Sequence, residues 1–426
     1  MKWRKPKNRA LRAGGVVLKD FLNAAHPLYR LASIVNWAQF ERQFGTFYAE
    51  EMGRPALATR LLVGLHYLKY LYNVSDEVVV ASWVENPYWQ YFCGAEYFVH
   101  EFPCDPTSLV KWRQRVGAEG SEKLLKESLA AAQREAVLTE AEIKRVNVDT
   151  TVQEKAIAFP IDARLYDKAR QALVRVAKGC NFKLRQSYVR LGKRALVKQG
   201  RYGAARQLKR ARREARKLRT YLGRVLRNVE RGNLKLSEQQ AQTVKVTGRI
   251  FTQQRTDHGK VYSVHAPEVE CIAKGKVAKH YEFGCKVPIV TTSRQSWIVG
   301  IDAVHDNPYD GATLKPAFTQ VKRLTGVRPE HAFVDKGFRG QRYHPKGVAV
   351  YITGRRNLTP QLSKLLKRRA AIEPVIGHTK HDHGLNRNYL LGKVGDRINA
   401  LLSGAAWNLK KLWRHFVQHP LPVPAT

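Results

Sequence analysis

The chain has 426 residues, room for two or three domains at ~150 residues each, and its 44% hydrophobic and 10% aromatic content excludes a disordered tail protein. Seventy-five Lys and Arg against 35 Asp and Glu leave a net charge of +40, a self-repelling surface that makes sense beside a polyanion such as a nucleic-acid duplex. Eight Trp and the large apolar fraction exclude a histone-like packing protein, and five scattered cysteines without a CxxC pair argue against a disulfide framework or zinc ribbon.

In chain order, residues 1–26 read as a basic flexible arm. MKWRKPKNRALRAGG has no apolar stretch behind it, unlike a secretory signal. There is no run of eighteen apolar residues, and a cytoplasmic, nucleoid-associated protein is the expectation. Residues 27–141 read as a helical DNA-binding and assembly domain. Pro55 suits a first helical position, with Leu61, Leu62, Leu65, Leu68 and Leu71 as an apolar face. Ser75 suits an N-cap before Asp76 and Glu77. Asp105-Pro106 starts a further helix that carries Lys111, Arg113 and Arg115 beside Trp112. Those three cations suit DNA contact by a helix-turn-helix-like module, and equally a packing domain with a solvated basic face; no recognition helix is marked. Residues 118–141 read as an amphipathic helix.

From Ile143 to Val152, Val146, Val148, Thr150 and Val152 alternate with Asn147, Asp149 and Thr151, the period of a strand. Residues 142–160 are thus the first part of a core. Residues 161–240 interrupt it as a basic helical insertion. Leu208, Ala211, Ala215, Leu218, Leu222, Val225 and Val229 step by three and four as a heptad seam, among cations that include Arg210, Arg213 and Lys217. A helical hairpin or short coiled coil touching DNA is the simplest account. Residues 241–417 resume the core: strands at Tyr281–Val290, Trp297–Val304, Ala332–Asp335 and Val348–Ile352, with helices over Gly311–Leu324, from near Gln361, and from about Asp396 to Val417. Residues 418–426 are a tail. The expected fold is α/β, a mixed sheet flanked by helices.

Metal-assisted phosphodiester cleavage needs a few converging carboxylates to hold divalent ions. Three acids suit it: Asp149 in VNVDTTV, Asp335 ending AFVDKGF, and Glu373 in RRAAIEPVIGHTK. Singly, each is as easily a cap or an ion-pair partner. Asp302, Asp306 and Asp310 are rival second acids, and His378, His381, Asp382 and His383 are a rival ligand set for zinc or nickel. No P-loop, GxSxG elbow or Rossmann fingerprint is present.

Taken together, RPALATRLLVGLHYLKYLYNVSDE, ENPYWQYFCG, VDTTVQ, YEFGCKV, NPYDGATL, VDKGFRG and RAAIEPVIGHTK resemble the bacterial insertion-sequence transposases of the insertion-sequence-five family, over nearly the whole length. The resemblance implies an RNase H-like core in which Asp149, Asp335 and Glu373 are catalytic ligands of Mg2+, with Mn2+ as a substitute. It implies catalytic roles for Arg369 and Lys380, which flank the Glu. Leu366 stands where the family often has Tyr, and Pro374 disfavours helix at Glu373. Lys286, in YEFGCKV, is read as a further DNA contact. The implied activity is binding of terminal inverted repeats, strand cleavage and joining of 3'-OH ends to target DNA, by a homodimer or higher assembly on double-stranded DNA. The alternatives are a domesticated relative that only binds DNA, and another RNase H-like nuclease.

Overall fold

The computed structural model describes residues 17–48, 56–273, 280–355 and 357–420; the basic stretch before Val17, Pro55 and the end of the tail lie outside them. In chain order come α1 (Leu18–Phe21), α2 (Pro27–Ile34), α3 (Trp37–Gly45), α4 (Thr59–Leu71), α5 (Asp76–Glu85), α6 (Pro87–Phe92), α7 (Pro106–Arg134), α8 (Glu140–Ile143) and β1 (Arg145–Lys155). There follow α9 (Asp162–Gly179), α10 (Val189–Ala204), α11 (Leu208–Arg231), α12 (Glu238–Thr252), β2 (Glu270–Ala273), β3 (Tyr281–Thr292) and β4 (Ile298–Ile301). The last are α13 (Leu314–Thr325), β5 (His331–Val334), β6 (Ala349–Ile352), α14 (Pro360–Arg368), α15 (Ile372–Asp382), β7 (Arg387–Asn388) and α16 (Gly392–Gln418). The chain divides into two compact units, residues 1–153 with 286–426, and residues 154–285.

The first unit is mixed α/β. Its sheet runs β4, β3, β1, β5, β6, with β7 off β1. β5 is parallel to both β1 and β6, and β4 is antiparallel to β3. Ser293, just after β3, donates its N–H to the carbonyl of Arg145 at the start of β1, so these two neighbours run in opposite directions. β4 is an edge strand, and two amides cover its free backbone. Asn408 of α16 accepts from Ile298 N and donates to Ile298 O, and Gln320 of α13 does the same at Ile301, meeting the need of buried peptide groups for partners.

The helical part begins earlier than expected. Within 17–26, Val17 bridges Tyr97 and Leu18 is fully buried, so this stretch is anchored by apolar burial and is no loose arm. α4 starts at Thr59 and buries Leu62, Leu65, Leu68 and Leu71. Ser75 caps α5 through Val78 N, and Asp105 caps α7 with Pro106 in its first turn. α7 continues to Arg134, but Gly117 (φ 62°, ψ −162°) breaks it between the basic first part and the expected amphipathic part.

The second unit is more than a hairpin. Leu165, Ala169 and Leu173 of α9 pack with Leu222, Val225 and Val229 of α11 and with Val246 and Ile250 of α12. α10 adds Ala195 against Leu218. The heptad seam is therefore one face of a helical bundle. Leu208, at its head, is 58% exposed. β2 pairs antiparallel with Tyr281–Gly284 of β3.

Candidate active site

β1 and β5 lie in parallel register with Arg145 opposite His331, Val146 opposite Ala332 and Asn147 opposite Phe333. The offset is 186 (331 − 145), which is also the separation of Asp149 and Asp335 (335 − 149). Extended two residues past its last pair, the same offset would set Asp149 opposite Asp335, with neighbouring strands ~4.8 Å apart. The buried residues beside them explain why the chain enters as strand here: Val146, Val148, Val152, Ala332, Phe333 and Val334. β5 stops at Asp335 because its carboxylate turns back to accept Gly337 N–H at 2.8 Å and starts a 3-10 turn. Gly340 ends the loop at φ 103°, a left-handed conformation that suits glycine.

The third acid arrives on α15. A 3-10 turn at Arg369–Ala371 precedes this helix, and Pro374 sits in its first turn, where a missing N–H removes no intrahelical bond. Arg369 and Glu373 meet four residues apart despite the irregular start. The Arg369 guanidinium lies 3.3 Å from Asp149 Oδ2 and 3.4 Å from Glu373 Oε1. Its side chain is 14% exposed, whereas that of Glu373 is 65% exposed. One arginine thus stands between two of the three carboxylates. Among the described residues, the three carboxylates are not grouped within 4.8 Å of one another.

Further residues converge on the same corner. Asp310 Oδ1 accepts from Thr150 Oγ1 at 2.9 Å and from Lys286 Nζ at 2.9 Å. Lys286 also donates to the carbonyl of Pro308 at 2.5 Å. Asp310 is thus tied to the residue after Asp149 and lies beside the turn after Asp335. NPYDGATL was the available signal; Lys286, read as a DNA contact, is instead largely buried against Asp310. Thr150 carried no signal beyond its strand position.

Lys380 is half-buried on α15, with its carbonyl accepting Asn386 N–H. Lys111 and Arg115 are exposed on the first part of α7. Arg113 between them is not free for DNA. It is buried and grips Asp76 through two bonds of 2.8 and 2.5 Å, because the helix turns it inward between α4 and α5. Arg210 and Arg213 are exposed on α11, and Lys217 pairs with Glu214 at 2.7 Å. Among rival acids, Asp302 is held by Arg397 at 2.9 and 3.0 Å. In the histidine cluster, His378 and His381 each turn Nδ1 onto Asp382 at 2.8 Å, hydrogen bonds that hold this carboxyl below its usual range. His383 is buried against the Tyr70 carbonyl. The cluster is spent on its own hydrogen bonds.

The donor chemistry, carboxylate oxygens of Asp149, Asp335 and Glu373, suits divalent ions that prefer oxygen, Mg2+ or Mn2+, and Asp149 and Glu373 already share one cation in Arg369. No sulfur or imidazole joins them in the contacts above.

Residues 16–115 match a family described as Transposase domain (DUF772), and residues 351–413, which contain Arg369 and Glu373, match one described as Transposase DDE domain. The uncharacterized protein ORF8 of the nfe locus of Rhizobium meliloti is 55% identical over 190 residues, covering 45% of this chain and 91% of its own length. No solved structure matches.

Proposed function

We propose that this chain, whose residues 16–115 and 351–413 match transposase families, is a DDE transposase of an insertion sequence that binds the terminal inverted repeats of its element, cleaves DNA there and joins the resulting 3'-OH ends to target DNA. The strand order β4, β3, β1, β5, β6, with β1, β5 and β6 parallel, supports an RNase H-like core. The observation that carries the reading is the parallel pairing of β1 with β5, which ends two residues before Asp149 and Asp335, together with the Arg369 guanidinium between Asp149 and Glu373.

Asp149, Asp335 and Glu373 would hold the divalent ions, Mg2+ or Mn2+. When bound, such ions activate the attacking oxygen and stabilise the leaving one. Glu373, on the exposed first turn of α15, closes onto the fixed pair of aspartates. Arg369 holds Asp149 and Glu373 in reach of each other, and its guanidinium can then pair with a phosphate oxygen, for which its planar fork is suited. In cleavage a water oxygen bonds to phosphorus and the 3'-oxygen leaves with a proton. In joining, that 3'-OH bonds to a target phosphorus and the target 3'-oxygen leaves. One carboxylate site serves both because both are displacements at phosphorus. Lys111, Arg115, Arg210 and Arg213 supply exposed charge for the duplex backbone, on a dimer or higher assembly.

The test uses Asp335→Asn. The amide keeps the shape but loses the charge. It should bind an inverted-repeat duplex within about threefold of wild type in a mobility-shift assay, and lose at least about 10²-fold of Mg2+-dependent cleavage, the scale seen when one group stabilising transition-state charge is removed. Cleavage by this variant at the wild-type rate would remove the triad from the chemistry.

A further inference from the structure

The second-aspartate loop is clamped from one side by the segment Pro308–Lys315. Tyr309 donates its hydroxyl to the carbonyl of Arg339 at 2.9 Å, and Lys315 donates to the carbonyl of Arg342 at 2.9 Å. Between these contacts sits Asp310. Its Oδ1 takes the Thr150 hydroxyl and the Lys286 ammonium, both at 2.9 Å. Its Oδ2 faces Gly337, where a Cβ would come within 3.0 Å of both Asp310 Oδ2 and Asp335 Oδ1. Thr150 directly follows Asp149, and its own N–H is held by Asp149 Oδ1 at 2.7 Å. One side chain therefore bears on the neighbours of both aspartates.

The strand pairing alone does not reach this far. The paired register of β1 and β5 ends at Asn147 and Phe333, two residues short of the acids. Past that point the two backbones need another tie to stay level. We propose that the Lys286–Asp310 pair is a positioning bracket: it sets the separation of Asp149 and Asp335, and so the affinity of their site for divalent ions, without itself holding an ion. Lys286 neutralises Asp310, which keeps a fourth negative charge from opposing the pair, and Asp310 fixes Thr150 and abuts Gly337. The inference rests on the proposed catalytic role of Asp149 and Asp335.

The test is Mn2+ binding to the full chain without DNA, read by titration, with thermal melting as the folding control. Thr150→Val and Asp310→Ala should weaken Mn2+ about tenfold or more, the usual effect of losing a partner that orients ligands. Asp310→Asn should weaken Mn2+ less than Asp310→Ala does, since an amide oxygen still accepts from Thr150 and Lys286 even though the Lys286 charge is left unbalanced. If Thr150→Val and Asp310→Ala bind Mn2+ like wild type, the bracket is refuted. If Asp310→Asn falls as far as Asp335→Ala, Asp310 is an ion ligand and the positioning role is wrong. If Asp335→Ala itself binds Mn2+ unchanged, the triad reading falls and takes the bracket with it.

Discussion

Gly337 has a hydrogen where any other residue would put carbon into the space between Asp310 and Asp335. The added Cβ of an alanine would sit 3.0 Å from an oxygen of each, closer than ordinary van der Waals contact. Neither carboxylate yields easily: Asp335 Oδ1 is held by Gly337 N–H, and the Asp310 group is fixed through its other oxygen, Oδ1, by Lys286 and Thr150. Gly337→Ala should leave inverted-repeat binding intact and lower Mg2+-dependent cleavage about tenfold or more, measured on the same duplex; an unchanged rate would mean the corner tolerates displacement. Arg369 and Arg113 make a complementary pair of cases. Both are arginines on helices in a basic chain, and both are engaged with acids. Arg369 holds two acids of the site, and Arg113 holds a structural acid, Asp76, away from it.

At the scale of elements, α4, α5 and α7 are pinned by one polar cluster. Asp76, in the first turn of α5, takes Arg113 of α7 and Lys69 of α4, and hydrogen bonding and charge from both hold its carboxyl far below the usual range despite burial. His66 Nδ1 meets the Leu62 carbonyl at 2.7 Å, so it carries the proton, and Nε2 accepts from Arg113 at 3.2 Å. Burial and the Arg113 charge push the His66 pKa down to about 3. Between pH 6.5 and about 3 the unfolded chain binds a proton at this residue that the folded chain refuses, so folding stability falls as pH drops through that window. From pH 6.5 to 5 the loss from this group is about 2 kcal/mol at ~1.4 kcal/mol per pH unit. Asp76 adds to the loss below its unfolded value near 3.8. His66→Gln, which can also donate and accept, should flatten the profile between pH 6.5 and 5 in denaturant melts; an unaltered slope would place the acid sensitivity elsewhere.

For the whole molecule, the net charge of +40 predicts DNA affinity that falls steeply with salt. The slope of log K against log salt is about −0.9 for each phosphate neutralised on duplex DNA. Arg210 and Arg213 lie exposed near the start of α11, before the residues Leu222, Val225 and Val229 that pack on α9 and α12. Replacing both with Gln should reduce the slope by about 2 in a salt titration of duplex binding. A slope equal to that of wild type would show that this face of the bundle does not meet phosphate. Ion pairing tempers the count of usable cations: Lys217 is taken by Glu214, Arg323 by Glu122 and Arg397 by Asp302.

Local pattern determined much of this in advance. Alternation around Asp149, the short apolar run ending at Asp335, the caps Ser75 and Asp105, and the heptad positions of α11 from Leu218 to Val229 are set within a few residues of chain, where propensity and periodicity act, and each is found as strand, cap or buried helix face. What the sequence could not decide were relations between segments. Nothing near Arg113 in the chain tells that Asp76 will neutralise it. Nothing in YEFGCKV tells that Lys286 will meet Asp310, or that Thr150 joins them from 160 residues away. A charge looks the same in sequence whether it will face solvent, phosphate or an acid, because its partner is chosen by packing. The parallel pairing of β1 with β5, which leads toward Asp149 and Asp335, is likewise a matter of sheet register that only the folded chain supplies.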